Sequence, residues 1–166
     1  KLFNKNDYEC NNNYKYYEYS SSLYSISGLL AMYCSETLKL KYPLIPWYLY
    51  GLSVFINGFT SYLGDVIYCN KYNIFHKIDI LISSINTLSA ILISIILIVL
   101  YRDIDKFIFL FIIFCIVFGL IAKSKAAKEY DNGNLNSYLY YHTLWHISIP
   151  LAGIVFVIFN VYIFNV

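Results

Sequence analysis

Residues 79–101 read DILISSINTLSAILISIILIVLY, a run that opens on Asp79 and stays uncharged from Ile80 through Tyr101. At about 1.5 Å per helical residue such a run crosses the roughly 30 Å hydrocarbon core of a bilayer. The composition around it agrees. Of 166 residues, 59% are hydrophobic, 20% aromatic and only 13% charged, and the mean hydropathy of +0.56 lies outside the range of soluble domains. The expected fold class is all-α, a multi-pass transmembrane helical bundle in an integral membrane protein.

Four further apolar segments flank this one, so about five spanning helices are expected, near 20–38, 47–69, 79–101, 107–124 and 138–164. Residues 1–19 read as a polar leader, disordered or interfacial. The first segment, Ser20 to Leu38, is rich in small residues (Ser25, Ser27, Gly28, Ala31) that suit close helix packing. Pro43 and Pro46 then suit the first turn of a second helix, with Trp47 and Tyr48 expected as interfacial anchors. Arg102 to Lys106 is a tight charged turn. The fourth segment is short for a span and is expected to extend into Lys123–Lys128 by snorkelling.

A formal net charge of +2, with no basic run, excludes nucleic acid as a partner. Cys10, Cys34, Cys69 and Cys115 show no paired spacing and indicate neither disulfides nor thiolate metal sites. Lysine and arginine distribute eight to four over the two ends of the expected bundle. The positive-inside rule then places the amino terminus in the cytosol or its equivalent.

Polar residues inside a bilayer are expensive and usually mark function. The last segment opens with Tyr141-His142-Thr143-Leu144-Trp145-His146, and spacing i, i+4 stacks both imidazoles on one helix face. Ser61 and Asp65 repeat that step late in the second segment, and Asp79 and Ser83 repeat it early in the third. Five antiparallel spans put all six in one leaflet. Two imidazoles and a carboxylate make the three-ligand set of a catalytic zinc, which leaves a position for water with a pKa near about 7. His142 and His146 are the candidate ligands, with Asp65 the third. Asp79 is the candidate general base or hydrogen-bond acceptor, and Ser61 a partner for the water or the oxyanion.

Each has a plainer alternative. His142 could be wet at the interface, Asp79 an ordinary first-turn acid, Asp65 within reach of water at a helix end, and Ser61 bonded to its own backbone. His76 falls in a polar turn and reads as solvated. Pro150, four residues after His146, removes the donor to the His146 carbonyl, so a kink is expected there.

The set Ser61-x3-Asp65, Asp79 and His142-x3-His146 resembles the CREST superfamily, which includes the alkaline ceramidases, the adiponectin/progestin-type receptors and the myomaker relatives. The resemblance implies a zinc ion held by the histidines, water activated beside Asp79, and membrane lipids as substrate, in the manner of a ceramidase-like lipid amide or ester hydrolase. Two departures stand out: Asp65 occupies the position of the family's second-helix histidine, and five segments replace seven. A noncatalytic accessory subunit of a larger membrane protein, such as an ion pump or transporter, is the alternative those departures suggest.

Overall fold

The computed structural model describes residues 14–68, 74–101 and 105–163, and among them every regular element is a helix. Six α-helices follow in order: α1 Tyr14–Tyr33, α2 Ser35–Lys41, α3 Trp47–Ser61, α4 Ile74–Leu100, α5 Lys106–Asp131 and α6 Leu135–Ile158. α3 and α6 each widen at the carboxy end into a π-helical turn, Tyr62–Ile67 and Phe159–Ile163. The all-helical class is the expected one. Three stretches, Lys77–Leu100, Lys106–Asp131 and Asn136–Tyr162, are long and apolar enough to cross a membrane.

Several bounds differ from expectation for physical reasons. The first helix begins at Tyr14, inside the expected leader, and ends at Tyr33 rather than Leu38. At Cys34 (φ −89°, ψ 6°) the chain turns into α2. That turn keeps the hydrogen bonds from Cys34 N to Leu30 O (3.0 Å) and from Leu38 N to Cys34 O (2.9 Å). It also buries Cys34 and Leu38 in the core. α5 runs to Asp131, past the expected end near 124. Its tail Lys123–Glu129 is rich in Lys, Ala and Glu, which are strong helix formers, and Ala126 is buried. At its start the Asp105 carboxylate accepts from Phe107 N (2.9 Å) and Ile108 N (3.0 Å), an N-cap. α6 continues through Pro150.

Packing is closest between α5 and α6 and between α1 and α3, whereas α4 rests mainly on α3 and barely touches α5. The α1–α3 approach rests on glycine. A Cβ on Gly28 would come within 2.6 Å of Gly51 O, and one on Gly51 within 2.8 Å of Gly28 O. Ser148 of α6 likewise lies against Gly119 of α5. The main core gathers Ala31, Leu38, Ile45, Ile112, Ile116 and Phe156 at the end of the bundle away from the histidines.

Trp47 departs from its expected interfacial role: only 4% exposed, it stacks on Phe156 (centroids 5.3 Å, 20°) and donates from Nε1 to Tyr42 O (3.3 Å). Its neighbour Tyr48 is exposed. Cys34 and Cys115 are free thiols buried in the core, while Cys10 and Cys69 lie outside the described residues. Leu81, Leu88 and Leu92 of α4 and Phe107, Leu110 and Phe114 of α5 project outward. An apolar surface of this kind is matched by lipid, not by water.

Candidate metal centre

Two consecutive turns of α6 present His142 and His146, whose rings lie 4.3 Å apart between centroids, inclined by 31°. Opposite them stands the end of α3. Its last α-helical residue, Ser61, is fully buried, and the π-helical turn that follows carries Asp65, also buried. π-helical turns inside helices occur frequently at functional sites.

The three expected ligands come together. One ligand atom each from Asp65, His142 and His146 lie within 4.8 Å of one another. His142 Nε2 and Asp65 Oδ2 are 3.6 Å apart. That is too long for a charge-assisted hydrogen bond, which closes to about 2.7–2.9 Å. It matches the roughly 3.3–3.6 Å between two ligands bound tetrahedrally at zinc distances. His142 Nε2 is buried and makes no hydrogen bond among the described residues. Its ring is held from the other side, where Nδ1 and the Tyr138 hydroxyl are 3.3 Å apart. Two imidazole nitrogens and one carboxylate oxygen are a donor set of the kind that zinc takes.

Ser61 stands against His146. Its Oγ lies 3.4 Å from His146 Nδ1 and accepts from Ser21 Oγ at 3.2 Å. A hydroxyl in that place can hold the imidazole by its Nδ1 edge. Ser83 does what serines in helices commonly do and donates to Ile80 O (3.1 Å) on its own helix.

Asp79 is buried, 3% exposed, but stands outside the three-ligand group. The side chain of His76 lies outside the described residues.

α1 supplies the part that sequence reading missed. The Tyr17 ring meets His142 edge-on (centroids 5.3 Å), Ser21 holds Ser61, and the Tyr24 ring meets His146 edge-on (5.5 Å). These residues are spaced i, i+4, i+7, one stripe of a helix, and that spacing was the available signal. Asn57, one turn before Ser61, is fully buried, and neither end of its amide is hydrogen-bonded among the described residues. A scan of protein-family models and searches of curated proteins and of solved structures return no match.

Proposed function

We propose that the chain is an integral membrane protein of five spans, with α1 and α3 crossing the bilayer beside α4, α5 and α6, and that it is a zinc-dependent hydrolase of lipid amides or esters. The convergence of Asp65, His142 and His146 carries this reading. The resemblance to the CREST superfamily agrees with it, as does the lysine and arginine distribution, which puts the site on the cytosolic side.

A bound zinc ion supplies Lewis acidity, polarising a carbonyl and making water acidic near neutral pH. The protein does the rest. His142, His146 and Asp65 bind the ion; Ser61 and Tyr138 orient the two imidazoles. The Tyr17 and Tyr24 rings, with the apolar flanks of α1 and α3, exclude bulk water. Asp79 is the candidate acid–base group, which would take up, at a carboxylate oxygen, the proton released by the attacking water.

Metal analysis of the purified chain tests the reading. About one zinc per chain is expected, lost in His142→Ala with His146→Ala and in Asp65→Ala. No stoichiometric zinc after loading, or zinc retained by the double variant, overturns it.

A second reading, a noncatalytic accessory subunit of a larger membrane protein, draws on the outer face of α4, where Leu81, Leu88 and Leu92 are exposed among the described residues. Migration only as a free 19.4 kDa chain in mild detergent counts against it.

A further inference from the structure

The candidate metal centre leads directly into an apolar cavity, and three helices pass from one to the other within two turns. On α1, Tyr24 meets His146 and Ser27 lines the cavity. On α6, His146 is followed by Ile149 and Gly153, both in the cavity wall. On α3, Ser61 stands against His146 and Val54 lines the cavity. Val54, Asn57 and Ser61 are spaced i, i+3, i+7, one stripe of a helix. Asn57 therefore lies on the border between the metal centre and the cavity.

Asn57 is unlike the other buried asparagines among the described residues. Asn86 Oδ1 accepts from Ser53 Oγ (2.7 Å), and Asn86 Nδ2 donates to Ser53 O (3.3 Å). Asn160 Oδ1 accepts from the Tyr42 hydroxyl (2.6 Å), and Asn160 Nδ2 donates to Phe156 O (2.8 Å). Asn57 is 0% exposed, yet neither its Nδ2 nor its Oδ1 has a hydrogen-bond partner among the described residues. The fold bonds both ends of two buried amides and leaves the third, at the border of the cavity, to be bonded from outside the chain. A buried amide left so costs stability, which a ligand that bonds it offsets.

The spacing along α3 indicates what that ligand carries. Asn57 precedes Ser61, which marks the level of His146, by about 6 Å along the axis. In a trans secondary amide the carbonyl oxygen and the N–H point in opposite directions. With the oxygen at metal-ligand distance and the N–H bonded to an acceptor, metal and acceptor stand about 6–7 Å apart. The two lengths agree, and an ester has no N–H to offer. We propose that Asn57 determines specificity for a secondary amide over an ester. Its Oδ1 accepts the N–H of the scissile amide, the carbonyl faces the metal centre, and the acyl chain lies in the cavity. The inference rests on the hydrolase reading for the group that is cleaved. Water is the co-reactant: its oxygen bonds the carbonyl carbon, the C–N bond breaks, and the nitrogen leaves with the electron pair and takes a proton as the amine.

Native mass spectrometry of the detergent-purified, metal-free full chain tests this, with an N-acyl amine and the ester of the same acyl chain and carbon skeleton as probes. The wild type is expected to hold the amide about tenfold more tightly than the ester. Asn57→Leu and the smaller Asn57→Ala are each expected to abolish that preference. Equal binding of the two lipids by the wild type overturns the proposal without any variant, and a preference that survives in the variants overturns it as well. Turnover of both lipids is measured on zinc-loaded samples. Hydrolysis without an amide preference in binding removes the role of Asn57 and leaves the hydrolase reading standing. An Asn57-dependent amide preference with hydrolysis of neither lipid removes the hydrolase reading and leaves the amide contact standing.

Discussion

Gly58→Ala tests whether the close approach of α1 and α3 builds the site. A Cβ at this position would lie 2.6 Å from Ser25 N and 2.7 Å from Ser21 O, and against the Ser25 hydroxyl as well. Carbon and backbone atoms need about 3.5 Å. Two of the three obstacles are main chain and cannot rotate aside, so the helices must part by about 1 Å. Ser21 is the residue displaced, and its hydroxyl donates to Ser61 at 3.2 Å; parting the helices breaks that bond and frees Ser61 from its fixed place against His146. The overpacking costs about 1–3 kcal/mol and the lost hydrogen bond about 1 kcal/mol more. For a chain of this length that lowers the melting temperature by on the order of 5–10 °C.

The assay is thermal unfolding in detergent beside a zinc titration, with Gly133→Ala as control. Gly133 sits at φ 74° with nothing within 4 Å of a built Cβ. Its substitution strains only a turn, by about 1–2 kcal/mol, and leaves zinc affinity alone. Gly58→Ala melting with the wild type refutes the packing argument. A lower melting temperature with unchanged zinc affinity refutes the claim that α1 positions Ser61.

Three other outcomes follow from single contacts. Ser61→Ala is expected to weaken zinc binding about 10–100-fold with an unchanged circular dichroism spectrum, and equal affinity would show that the contact with His146 Nδ1 orients nothing. Asp105→Ala removes the bonds to Phe107 N and Ile108 N and should destabilise by about 1 kcal/mol, read as a lower melting temperature with zinc content intact. Asn57→Leu removes a buried amide with no hydrogen-bond partner among the described residues and should raise stability by roughly 1–3 kcal/mol; a fall instead would mean that the amide holds an ordered water or ligand.

What was legible in the sequence follows from how local each cause is. The uncharged run from Ile80 to Tyr101 has few solutions other than a long apolar helix, because its composition alone decides the matter. The step from His142 to His146 is equally local: helical geometry places the two imidazoles on one face wherever the helix ends up. Asp65 was found by the same spacing, with Ser61 as its neighbour. Trp47 shows the other kind of residue. An indole beside a proline suits an interface as well as a core, and Phe156, more than one hundred positions away, is what buries it. The turn at Cys34 has no proline or glycine to announce it; it forms because Leu38 is drawn into the core.

The start of α1 is the instructive case. Tyr14 to Tyr19 reads as the end of a polar leader because its composition is Tyr, Lys and Glu, and no local rule makes it a helix that matters. It becomes one because Tyr17 and Tyr24 have imidazoles to meet and Ser21 has Ser61. The histidine pair is therefore written in α6, but the walls that hold it in place come from a helix whose value is visible only once the chain is folded. Substitutions in α1 should for that reason disturb the histidine site while leaving the three long apolar helices formed.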